Sequence, residues 1–267
     1  MSETTLPGHA GELHVRTWGR DEPERIVVLV HGYGEHIGRY DHVAAAFGER
    51  GAVVWGHDHA GHGRSEGERV LVPDFELLVD DLHGVVTAAR QASGPELPVV
   101  MVSHSMGGMI GTRYAQRHSD QLAGLVISGP ILGEPALLAQ LLALDEIPDI
   151  PIDPAVLSRD ESVGQAYADD TLVWHGPFKR TTVEANAAFL RAISQDASNL
   201  TMPVLWLHGA DDQLVLEAET RAGIETLRAG GATIEEKIYP GARHEIFNET
   251  NRDEVLADAC AFVERVA

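Results

Sequence analysis

Five short runs of apolar, mostly β-branched residues constrain this chain more than any other feature: Ile26–Val30, Ala52–Trp55, Pro98–Val102, Leu122–Ile127 and Val204–Leu207. They are short and nearly continuous rather than alternating, the pattern of strands buried on both faces of a parallel sheet. Helix-period segments lie between them. Phe75, Leu78, Leu82, Val85, Val86 and Ala89 make one face of a helix predicted to open at Pro73. Met109–His118, Glu217–Arg228 and Arg252–Val266 read the same way. Strands alternating with helices predict an α/β fold around a mostly parallel sheet. Leu13–Trp18 and Thr233–Ile238 are expected as outer strands, the first of them antiparallel.

One interval breaks this rhythm. Ile131–Met202 is far longer than a connection with a single crossover helix. It opens rich in leucine (Leu137, Leu138, Leu141, Leu142, Leu144), passes through Pro148, Pro151 and Pro154, and then shows helical patterns over Val156–Asp169 and Thr181–Ile193. The expectation is one core in two parts, 1–130 and 203–267, with an inserted helical cap at 131–202. Ordinary extra helices packed on the sheet are the alternative.

The chemistry begins after Pro98–Val102, where Ser103-His104-Ser105-Met106-Gly107-Gly108 leads into a helix. A serine on a sharp strand-to-helix turn presents its hydroxyl above the sheet edge, and the turn needs small neighbours because helix and strand come close. Gly107 and Gly108 supply them on one side; on the other Ser103 replaces the usual glycine. A nucleophilic serine needs a base, and the base needs a carboxylate that holds its tautomer. On the α/β-hydrolase fold these follow in the order serine, acid, histidine. Val204–Leu207 runs into His208-Gly209-Ala210-Asp211-Asp212, and Thr233–Ile238 runs into a loop bearing His244. Asp211 and Asp212 are both candidates for the acid. The His-Gly-x-x-Asp spacing favours Asp212 and leaves Asp211 as a solvated neighbour. An oxyanion hole needs two N–H groups. Met106 supplies one, and Tyr33, between Gly32 and Gly34 after Ile26–Val30, is expected to supply the other.

HGYGEHIGRY (31–40), DHAGHGRSEG (58–67), SHSMGG (103–108), HGADDQLV (208–215) and YPGARHEIFNE (239–249) together resemble the monoacylglycerol lipase family of α/β-hydrolases, in order and at ordinary spacing. Ala60 departs from it, standing where arginine is common. The resemblance implies the α/β-hydrolase fold and a serine esterase that cleaves monoacylglycerols to glycerol and fatty acid, with no metal and no cofactor. It also implies that Glu35 and Arg39 border a polar pocket for the glycerol headgroup, and that the cap lines an apolar acyl channel. An ion pair bracing the loop is the other reading of Glu35 and Arg39, and the two are compatible. Lysophospholipases and general carboxylesterases share much of the pattern. A serine aminopeptidase, or a non-catalytic binding protein on the same fold, stands further off.

His57-Asp58-His59-Ala60-Gly61-His62 approaches a zinc-binding pattern, but Gly61 stands where an aspartate is required. With 20 Lys+Arg against 41 Asp+Glu, the net charge of −21 argues against nucleic acid and anionic membranes as partners. It favours neutral acylglycerols over anionic lysolipids. The single cysteine, Cys260, excludes an intrachain disulfide and reads as a buried hydrophobe. MSETTLPGHAGELHVRTWG lacks a secretory pattern, and no apolar run is long enough to span a bilayer, so a cytoplasmic enzyme is expected, with at most transient lipid-surface contact through the cap.

Overall fold

The computed structural model describes every residue except Ile150, so one position of the predicted cap lies outside the described residues. The strands are β1 (Ser2–Gly8), β2 (Gly11–Trp18), β3 (Arg25–Val30), β4 (Ala52–His57), β5 (Val99–His104), β6 (Gly124–Ser128), β7 (Val204–Gly209) and β8 (Ile234–Tyr239). They form one sheet in the order β1-β2-β4-β3-β5-β6-β7-β8. The β1–β2 and β2–β4 pairs are antiparallel and every other pair is parallel. This is the α/β-hydrolase fold. The five apolar runs predicted as strands occupy its centre, and β3, β4, β5, β6 and β7 are buried along their whole length. Burial on both faces is why their sequences do not alternate.

The helices are α1 (Asp41–Gly48), α2 (Phe75–Ser93), α3 (Met106–Arg117), α4 (Ala136–Ala143), α5 (Glu161–Asp169), α6 (Arg180–Gln195), α7 (Glu217–Ala229) and α8 (Arg252–Val266). The six apolar positions read as one face of α2 are all buried. The helix opens at Phe75, two residues later than its proline suggested. Asp74 is the N-cap, its side chain accepting from the Glu76 N–H at 2.9 Å, which satisfies a donor the helix cannot. The predicted helix at Val156–Asp169 is likewise two pieces, a 3₁₀ turn at Pro154–Val156 and then α5, capped by Asp160. Strand β1 was not anticipated. Its residues are mostly exposed and polar, and it pairs at the sheet edge through the backbone and a Glu3–Arg16 ion pair, so no hydrophobic pattern marks it.

The stretch between β6 and β7 is not uniform. No residue of α4 is buried, and α5 buries only Tyr167, in a small cluster with Leu157 and Val173. By contrast α6 packs against α2 and α3, and Phe189, Leu190 and Ile193 belong to the main core. Four loops that carry candidate functional residues follow β3, β5, β7 and β8, all at the carboxyl edge of the sheet, where open α/β sheets hold their ligands.

Candidate active site

Ser105 sits between β5 and α3 with φ 55° and ψ −119°, a left-handed backbone that non-glycine residues rarely adopt. Packing enforces the turn. A Cβ on Gly107 would stand 2.3 Å from the Val30 carbonyl oxygen and 2.5 Å from that of His31, so only glycine fits there. Ser103, the departure from glycine, is accommodated from the other side. Its hydroxyl donates to the Val126 carbonyl at 3.0 Å, and α3 presents Gly111, where a Cβ would come within 2.8 Å of that hydroxyl oxygen.

His244 Nε2 lies 2.9 Å from Ser105 Oγ, and its Nδ1 lies 2.7 Å from Asp212 Oδ2. The carboxylate can only accept, so Nδ1 carries the proton and Nε2 is free to take the serine's. Asp212 is buried, whereas Asp211 is exposed and only its backbone N–H is engaged, with the Ala242 carbonyl. Asp212 Oδ1 accepts from the N–H groups of Leu214 and Val215, both at 2.9 Å. Its Oδ2 also lies 3.2 Å from His208 Nε2. The Trp206 indole donates to His208 Nδ1 at 3.1 Å, so His208 carries its proton on Nε2 and shares it between Asp212 and the Val215 carbonyl, 2.8 Å away. Trp206 and His208 are alternate residues of β7 and therefore share a face. In the sequence His208 only opened the His-Gly-x-x-Asp spacing, and its contact with Asp212 was not foreseen.

Burial pushes the Asp212 carboxyl up, but His244 and His208 outweigh it and hold the pKa well below the usual carboxylate range. Burial likewise pulls the His244 imidazole down, and the Asp212 charge with its hydrogen bond outweighs that, leaving the pKa raised. His104, its ring 4.7 Å from that of His244, is pushed down to about 4 by burial and stays neutral at pH 7.

The Tyr33 loop abuts the serine: a Cβ on Gly32 would lie 3.2 Å from Ser105 Cβ. Among the described residues no acceptor engages the backbone N–H of Tyr33 or of Met106. The histidine-rich segment supports this loop. His31 Nδ1 donates to the Gly32 carbonyl at 2.8 Å, the His59 N–H donates to His31 Nε2 at 3.0 Å, and His59 Nε2 donates to the His31 carbonyl at 3.1 Å. The rings of His31 and His59 stand 4.3 Å apart, and those of His57 and His59 4.9 Å. Among the described residues no three His, Cys, Asp or Glu side chains are placed to hold a metal.

Glu35 and Arg39 meet in a buried ion cluster. Glu35 Oε1 accepts from the Gly32 N–H at 2.6 Å and from the Tyr40 hydroxyl at 2.7 Å, and Oε2 accepts from Arg39 at 2.7 Å. Arg39 also forks onto Glu245, at 2.8 and 2.7 Å. Glu245 was not foreseen; nothing local marks a residue beside the histidine as the partner of an arginine 206 positions earlier. Burial pushes its carboxyl up, and Arg39 overrides this to hold it at about 2. The Arg39 guanidinium lies over the Tyr167 ring at 5.2 Å.

A cavity of about 110 Å³ joins these groups. Tyr33, Glu35, Arg39, Ser105, Met106 and His244 all line it, and Asp212 stands behind His244. Most of the rest of its wall is apolar, with Leu138, Leu141, Leu157 and Val183 among the contributors from α4, α6 and the loops beside them, and Thr182 and Asn186 as polar exceptions on α6. No described helix is long and apolar enough to cross a membrane.

The sequence model of a family described as "Serine aminopeptidase, S33" matches residues 21–251. The chain is 37% identical to a monoacylglycerol lipase of Mycolicibacterium smegmatis over 98% of its own length and 96% of that protein. Its structure resembles a monoacylglycerol lipase of Paleococcus ferrophilus with a TM-score of 0.80 and 27% identity, covering 96% of this chain and 99% of that one. It also resembles a thermostable carboxyl esterase from Bacillus coagulans, solved in complex with glycerol, with a TM-score of 0.84 and 25% identity, over 99% and 98% of the two chains. The chain belongs to the monoacylglycerol lipase family of α/β-hydrolases and is a carboxylic ester hydrolase.

Proposed function

We propose that this enzyme cleaves monoacylglycerols through an acyl-enzyme formed on Ser105, with His244 as general base and acid and Asp212 as the orienting carboxylate. The observation that carries the reading is the unbroken chain Ser105 Oγ, His244 Nε2, His244 Nδ1, Asp212 Oδ2, at 2.9 and 2.7 Å, on the wall of a largely apolar cavity. Ser105 attacks the ester carbonyl as His244 takes its proton. The N–H groups of Tyr33 and Met106 receive the oxyanion, an interaction worth about 3–4 kcal/mol per donor in comparable sites. His244 then protonates the leaving glycerol oxygen, and water, deprotonated by the same imidazole, releases the fatty acid.

The cavity divides into two ends, and each suits one part of the substrate. Glu35, Arg39 and Glu245 offer a glycerol headgroup both acceptors and donors. The 131–202 stretch acts as the cap, α4 and α5 covering the acyl chain while α6 ties the cap to the core. Both carboxylates of the ion cluster are hydrogen-bonded to Arg39. A lysophospholipid phosphate would meet two carboxylates for one guanidinium, so neutral headgroups are favoured.

Ser105→Ala is expected to lose at least about a thousand-fold in kcat while keeping its circular dichroism and Tm. Rates should be measured on mono-, di- and triacylglycerols, a lysophospholipid and an aminoacyl amide. Near-normal hydrolysis by the variant would overturn the role of Ser105, and a preference for the amide or the lysolipid would overturn the substrate.

A further inference from the structure

The acyl end of the cavity carries one polar side chain that no chemistry described so far uses. Asn186 lies on α6, three residues after Val183 and four after Thr182, and all three line the cavity from one face of the helix. The hydroxyl of Thr182 is fully occupied: it accepts from the Val72 N–H at 2.9 Å and donates to the Val70 carbonyl at 2.8 Å. Asn186 is different. The residue is half-buried, and its Oδ1 is fully buried with no hydrogen-bond partner among the described residues. Two of the helices packed against α6 bring apolar side chains to the same cavity, Leu138 and Leu141 from α4 and Phe75 from α2.

A carboxamide oxygen left unpaired in such a place is a cost to the free enzyme that a leucine there would not carry. Native proteins seldom leave buried polar groups unpaired without a reason. Two tyrosines also line the cavity, and the Tyr33 hydroxyl is likewise buried without a partner. Tyr167 faces Arg39, at the headgroup end, and the Tyr33 ring is stacked on Phe178 at 4.9 Å with the His62 ring edge-on at 6.0 Å.

We propose that Asn186 is a specificity determinant of the acyl subsite, selecting acyl chains that carry a hydroxyl group along their length. A hydroxyl both donates and accepts, so it pairs with the carboxamide whichever end turns toward the chain. An unsubstituted chain leaves the amide oxygen unpaired and drives off whatever water reaches it. The preference comes from one neutral hydrogen bond in a partly wet site, which sets its size at about three- to ten-fold.

This inference rests on the acyl role given to that end of the cavity, so the test separates it from the choice of glycerol. Aryl esters of unsubstituted and hydroxylated fatty acids of equal length, with the hydroxyl placed at successive positions, report acyl selectivity whatever the natural alcohol. The same acyl groups are then offered as monoacylglycerols. The wild-type enzyme is expected to prefer at least one hydroxylated isomer in kcat/KM by about five-fold. Asn186→Leu and Asn186→Ala are expected to bring that ratio to one or below, Asn186→Leu through added bulk as well and Asn186→Ala without it. Each ratio is internal to one protein, so differences in folded fraction cancel. No preferred isomer in the wild type, or a preference that survives both substitutions, overturns the proposal. If the aryl esters show the preference while neither glycerol ester is cleaved, the monoacylglycerol reading falls and the role of Asn186 stands.

Discussion

Asp212 receives two imidazoles, and they differ in what they contribute. His244 links the carboxylate to Ser105, whereas His208 reaches Asp212 and the Val215 carbonyl but not the serine, and is held there by the Trp206 indole. Asp212→Asn is expected to lower kcat by about ten-thousand-fold, because an amide can present its N–H to Nδ1 and favour the wrong tautomer. Asp211→Asn should stay near wild type, since that side chain is exposed and unengaged; the reverse order in steady-state assays would exchange the two roles. His208→Leu removes a donor and is expected to lower kcat about ten-fold at unchanged KM, whereas His208→Gln, which keeps an N–H at a similar reach, should recover most of the loss. The pH profile follows from the sign of the His244 shift. Its imidazole must be neutral to accept the serine proton, and its pKa is raised above the ordinary 6.5. The acid limb of kcat/KM should therefore inflect above pH 6.5, and in Asp212→Asn the residual activity should inflect lower.

At the scale of elements, local pattern and long-range contact divide the evidence between them. The periodic apolar faces of α2 and α8 were legible because both helices bury one stripe on the sheet. The start of α2 lies two residues beyond Pro73, since Pro73 and Asp74 both signal a helix start and only the side-chain hydrogen bond to Glu76 decides between them. Asp74→Ala should lower stability by about 1 kcal/mol, read as a drop in Tm with activity retained. β1 escaped notice because its backbone pairs with β2 without burying a hydrophobic face. The turn at Ser105 shows the opposite case, where four neighbouring residues announce the geometry and distant carbonyls enforce it. Gly107→Ala must move α3 away from Val30 and His31, and is expected to reduce both Tm and kcat; a variant with both unchanged would contradict the close approach.

Across the whole molecule, charge and burial are arranged very differently inside and out. The surface carries most of the −21 charge, yet the interior keeps its ionic groups paired, and burial holds His31, His57, His59, His62 and His104 below the ordinary imidazole range. Burial pushes His57, His62 and His104 each to about 4, against 6.5 in the unfolded chain. Between those values the unfolded state binds protons that the folded state does not, so stability is fully present above pH 6.5 and falls as pH drops toward 4. Thermal unfolding across that window should show Tm declining with acid, and a flat profile would mean these rings are not neutral in the fold. The ion cluster joins the loop after β3 to the loop after β8. Arg39→Ala leaves two buried carboxylates unpaired and is expected to cost about 3–5 kcal/mol of stability. Glu35→Ala frees the Gly32 N–H as well as Arg39. If the headgroup reading holds, both variants lose more on monoacylglycerols than on p-nitrophenyl esters; equal losses on the two would leave only the bracing role.

By itself the amino-acid sequence determined the fold class, the central strands and the places in the chain where a serine, an acid and a histidine would stand. These depend on periodicity, turn chemistry and order along the chain, which are local properties. Only the tertiary structure decided that Asp212 rather than Asp211 is buried against His244. Only there do His208 and Glu245 join the site, does α6 belong to the core while α4 does not, and does the Asn186 carboxamide oxygen stand unpaired on a largely apolar wall. Each of those outcomes depends on which side chains far apart in the chain share a water-excluded space, and a residue's pattern along the chain does not carry that information.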